Sequence, residues 1–269
     1  MSGSASSGGR SRGLSLHGFG AFTRKEFLET RKTWRLWVVP GVLLFIGLST
    51  PVLAAVTPTI LKMTAERQPG VVIKYPTPTS IDAYTQFMGN LLQLALLVVI
   101  ITGAAAVAGE RRGGTAILVL TKPLSRTAFV WSKAIANLAV VIAATALGAA
   151  LCVAVTVALF DTAHVVAFIE SVGVWLALAA MFVCLMVWLS AALDRQAAAA
   201  GAGIAVYVVL FALTGFPLLR DWSPAGVFTA NDALLKGKDA ALAQPVAVTL
   251  VLAVVFLLLA AWSFRRKEL

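Results

Sequence analysis

The polar residues with the most regular spacing in this sequence are mostly amides. Asp82, Gln86, Asn90 and Gln93 follow one another at intervals of four, four and three, which places them in one stripe on a helix. The stripe enters an apolar run, where polar side chains face protein or water rather than lipid. Two roles are open: lining a translocation surface, or hydrogen-bonding a neighbouring helix. Catalysis has less support. The histidines are His17 and His164, and no H-E-x-x-H motif is present, so a convergent acid–base set is not available. His164 lies near Asp161 and Glu170 in sequence, without the spacing of a metal site. Cys152 and Cys184 both fall inside apolar runs and read as small buried hydrophobes, neither disulfide nor metal ligands. No catalytic residue, metal or cofactor is therefore expected on this chain.

The elements that must position the stripe are membrane helices. Hydrophobic residues make up 59% of the 269 and charged residues 13%, far from the globular average. Apolar runs of about 20 residues cross a bilayer core as helices, which satisfy their own backbone. Six spans are expected: Leu36 to Val56, Phe87 to Ala108, Ala134 to Phe160, Ile169 to Leu193, Ala197 to Leu219 and Pro245 to Phe264. The fold class is thus all-α, a polytopic membrane protein. The N-terminus, the 109–133 loop, the Asp194/Arg195 turn and the C-terminus together hold 16 Lys and Arg, against 6 in the other loops. The positive-inside rule makes both termini cytoplasmic. The net charge of +10 is accounted for by these span ends, and no nucleic-acid surface follows.

Residues 1–18 are Ser/Gly-rich and expected to be a disordered arm; they do not form a signal peptide, since no apolar region follows closely. Residues 19–35 have amphipathic helical periodicity, with Phe19, Phe22, Phe27, Trp34 and Trp37 in one arc, Glu26 among them, and most basic residues elsewhere. This reads as an interfacial helix, either a surface anchor or an elbow against a partner subunit with Glu26 meeting a cation. Residues 36–269 form the membrane domain. Its first external segment, Thr57 to Gln86, carries Pro58, Pro69, Pro76 and Pro78 and is expected to be largely irregular until Thr79 and Asp82 start a helix in the manner of a capping box. In the last external loop, Ser223 and Pro224 are expected to start one short helix, and Asn231 and Asp232 to cap a second that Gly237 ends, with Trp222 as an interfacial anchor.

The stretch "GERRGGTAILVLTKPLSR", Gly109 to Arg126, combines basic residues that keep it out of lipid with an apolar core that needs covering. Pro123 stops a short helix there and Ser125 can cap the next. A docking helix is implied. Glu110, Gly114, Thr115, Leu118, Pro123, Ser125, Arg126 and Lys133 resemble the loop pattern of six-span ABC exporter permeases, the ABC-2 type, nearest to multicopper-enzyme maturation permeases. The segment "RKEFLETRK", Arg24 to Lys32, resembles their N-terminal elbow. The resemblance implies a permease that pairs with a second copy or a related chain in the cytoplasmic membrane of a bacterium or archaeon. Glu110 to Leu120 would be a coupling helix seated in a cytosolic ABC ATPase. Glu110, Gly114, Thr115, Ile117, Leu118, Leu120, Pro123 and Arg126 would make or shape that contact. No G-x-x-x-x-G-K-[ST] loop occurs, and "KGKD" at 236–239 fits no such motif, so ATP and Mg are expected in the partner ATPase.

Other classes fit less well. A membrane enzyme lacks its catalytic set. An ion-coupled secondary transporter usually holds ionisable residues at midmembrane, whereas Glu170 and Asp194 stand near span ends. An assembly or maturation subunit without transport would carry the same loop and stays open.

Overall fold

A computed structural model describes residues 35–65, 77–105, 126–160, 163–237 and 242–266. All its regular elements among these are helical: α1 (Arg35–Ala65), α2 (Ser80–Asn90), a π-helical segment (Leu91–Ala95), α3 (Leu96–Gly103), α4 (Arg126–Leu159), α5 (Val165–Ala192), α6 (Gln196–Leu213), α7 (Pro217–Asp221), α8 (Ala225–Leu235) and α9 (Ala243–Arg266). Six stretches are long and apolar enough to cross a membrane, with α2, the π segment and α3 forming one continuous second span from Ser80 to Gly103.

The first span differs from the sequence expectation. The helix continues from Val56 through Pro58 to Ala65 instead of becoming irregular at Thr57. Proline removes one backbone donor and leaves the carbonyl of Ala54, four residues back, without its helical partner, yet a proline is tolerated inside a membrane helix. The hydroxyls along this stretch turn back onto their own helix, Thr57 Oγ1 donating to the Leu53 carbonyl at 2.6 Å and Thr64 Oγ1 to Ile60 at 2.9 Å. At the far end, the fifth span stops at Leu213 rather than Leu219, and residues 217–221 form the separate helix α7. The proline at its first turn starts α7 afresh. One helix, α8, then runs through Asn231 and Asp232, which were expected to cap a new one. Asn231 is buried, and Asp232 pairs along the helix with Lys236 at 2.8 Å. Gly237, with φ at +63°, does end it.

Packing is uneven across the bundle. The most apolar stretch of α5 is 61% buried, that of α6 only 17%, so α5 is the central helix and the fifth span is peripheral. Between α1 and α4 the backbones nearly touch: a Cβ on Gly148 would stand 2.7 Å from the Leu43 carbonyl oxygen, and one on Gly47 would collide with the Gly148 carbonyl. Small residues allow this approach, on which helix association in lipid relies.

Candidate functional site

The N-terminal end of the second span is set by Asp82. Its carboxylate accepts the Thr79 N–H at 2.8 Å and the Thr79 hydroxyl at 2.9 Å. The expected capping arrangement is thus present, and it occupies the first member of the polar stripe.

Below it, aromatic packing decides which way the span faces. Tyr84 stacks on Phe168 of α5 with ring centroids 4.4 Å apart, and Phe87 meets the same ring edge-on at 5.4 Å. Tyr84, Phe87, Met88 and Leu91 are all buried. With that face held against α5, Gln86 and Gln93 point outward, exposed, and Asn90 is half-exposed beside them. None of the three makes a side-chain hydrogen bond or ion pair with another described residue. Among the described residues, no neighbouring helix supplies these amides with a bond.

Gln93 lies within the π-helical segment, where the Leu96 N–H donates to the Leu91 carbonyl five residues back and to that of Gln93. Such wide turns recur at functional sites. Asn90 and Gln93 fall in the middle of the 24-residue span. An amide facing hydrocarbon without a partner costs roughly 4 to 8 kcal/mol relative to water. Three on one face make contact with acyl chains strongly unfavourable. The arrangement offers donors and acceptors to a polar group that comes from outside the chain, either water, solute or a second protein.

The C-terminal end of the second span is tied to the same central helix. Ser190 Oγ donates to the Ala104 carbonyl at 2.8 Å, satisfying one of the acceptors a helix leaves open at its end. This contact, and the close approach of Gly103 to Met186 of α5, were not legible in the sequence beyond the general signal that small and hydroxyl residues mark helix contacts. Cys152 and Cys184 are both buried thiols, as read from their apolar surroundings. His164 caps α5 with φ at +64° and is exposed, as is Glu170; Asp161 lies outside the described residues. So do the elbow residues Phe22, Glu26 and Trp34, and the loop residues Glu110, Gly114, Thr115, Ile117, Leu118, Leu120 and Pro123. Arg126 begins α4.

Two comparisons bear on this architecture. The chain is 27% identical over 257 residues to the uncharacterized transmembrane protein YxlG of Bacillus subtilis (strain 168), covering 92% of this chain and 97% of that one. The family described as ABC-2 family transporter protein matches residues 21–269, which includes all six spans and both the elbow and loop segments. The six-span helical chain with its outward amide face is a multi-pass membrane protein that belongs to the ABC-2 family of transporter proteins.

Proposed function

We propose that this chain is the permease of an ATP-driven exporter and that Gln86, Asn90 and Gln93 line the path its substrate follows. The carrying observation is that these three amides sit at membrane depth, outward on the second span, with no partner among the described residues. A second permease chain, the same or related, facing this one would enclose the amide face and keep lipid from it. ATP is hydrolysed by a separate cytosolic ABC ATPase holding nucleotide and Mg. Its movements reach the permease through Glu110 to Leu120, with Ile117, Leu118 and Leu120 buried in the contact. Gly114 allows close approach there, Thr115 shares that turn, Glu110 favours the helix's positive end, Pro123 ends the helix and Arg126 keeps the next entry at the surface. Phe22, Glu26 and Trp34 brace the elbow.

The test uses Asn90→Cys in a chain with Cys152 and Cys184 replaced by Ala. In cells containing the ATPase, a water-soluble thiosulfonate reagent should modify the cysteine, and ATP trapped with vanadate should change the rate. Reaction solely with a lipid-soluble reagent, indifferent to nucleotide, would put the face in lipid and remove the basis for a path.

A further inference from the structure

Near its C-terminal end, from Ile100 to Ala104, the second span is seated in a junction of three helices. A Cβ on Gly103 would stand 2.8 Å from Met186 Cβ of α5. On α6, a Cβ at Gly203 would stand 2.5 Å from Met186 Sδ and 2.9 Å from Ile100 Cγ2. Met186 itself is fully buried. One turn further along α5, the Ser190 hydroxyl holds the Ala104 carbonyl. Glycine at both positions lets two helices close on a single side chain, and a close-packed interior leaves no void into which that side chain can retreat. Motion of the second span at Gly103 therefore presses Met186, and through it Gly203.

We propose that Met186 is a positioning residue of the transport cycle: it passes displacement of the second span at Gly103 to the otherwise peripheral fifth span, so that the two move together. The proposal rests on the permease reading. An unbranched thioether suits the task, because it can change rotamer and still fill the space between two glycines in either arrangement. The fifth span is the least buried of the six, and its other approach to the second span at this level is Ile100 beside Gly203.

The experiment places an environment-sensitive fluorophore on Ile101→Cys, 48% exposed on the second span, or on Ala205→Cys, exposed on the fifth. Cys152 and Cys184 are replaced by Ala, and the chain is reconstituted with its ATPase. Addition of ATP and vanadate should change emission at both positions. With Met186→Ala the response at position 205 should fall about fivefold or more while that at 101 persists, and Met186→Leu, close in volume, should restore most of it. An undiminished response at 205 in Met186→Ala overturns the proposal. Loss at both positions together also overturns it, since Met186 would then merely hold the bundle. A chain with Met186 intact that responds at neither position refutes the permease reading, and this proposal with it.

Discussion

At the scale of single residues, the polar groups within the spans divide by where they find a partner. Thr50, Thr57, Thr102 and Ser171 each return a hydroxyl to a carbonyl one turn back on their own helix, which any hydroxyl can do wherever the helix lies. Ser190 reaches across to Ala104, 86 residues away in sequence. Gln86, Asn90 and Gln93 do neither. Replacing Ser190 by Ala should destabilise the folded chain by about 1 kcal/mol or somewhat less, the usual worth of an interhelical hydrogen bond in a membrane protein. Unfolding in mixed detergent, with Ser171→Ala as the comparison, measures it; an equal loss in both variants would mean the bond to Ala104 contributes nothing of its own. The amide stripe was visible in the sequence because its spacing is local. Ser190 was not, because its partner belongs to another helix.

Among the elements, glycines and prolines act by position rather than by type. Pro40, Pro51 and Pro58 all lie inside α1 without ending it, since no water competes for the helix's backbone groups in hydrocarbon. Gly47 and Gly41 occupy the same helix with opposite demands. A Cβ on Gly47 collides with the backbone of Gly148, whereas nothing lies within 4 Å of one on Gly41. Gly47→Ala should therefore cost about 1 to 3 kcal/mol through overpacking, seen as a lower unfolding temperature in detergent. Gly41→Ala should be neutral or stabilising by up to about 1 kcal/mol from helix propensity. Equal effects would mean that the α1–α4 crossing is looser than described. The π segment belongs to this scale as well: spacings of four, four and three look helical, and only the Leu91 to Leu96 hydrogen bond reveals the wider turn carrying Gln93.

For the whole molecule, six spans put both termini on one side, and the 16 to 6 distribution of Lys and Arg predicts, by the positive-inside rule, that this side is the cytoplasmic one. Helix α8 is packed against α5 with Ala225, Val227 and Leu235 buried, Lys236 at its end is exposed, and with cytoplasmic termini this end is predicted to face outward. In a chain lacking Cys152 and Cys184, Lys236→Cys should react with an impermeant maleimide added to intact cells. Labelling that appears solely after permeabilisation would invert the orientation and carry the amide face, the coupling segment and the direction of transport with it. The same inversion would leave every packing contact unchanged, because orientation in the bilayer is set by charge outside the spans and not by the fold within them.

What the sequence determined by itself is the class, the number of spans and the presence of a polar stripe on the second. Hydrocarbon forces each crossing segment to satisfy its own backbone, so length and hydropathy are one-dimensional signals and can be counted. The span ends were less legible, as at Pro58 and Leu213, because proline carries a different meaning in water and in lipid. Which way the stripe faces was decided only in three dimensions. A helix that closes its own hydrogen bonds is free to rotate about its axis, and the rotation of this one is settled by Tyr84 and Phe87 packing on Phe168, more than 80 residues along the chain.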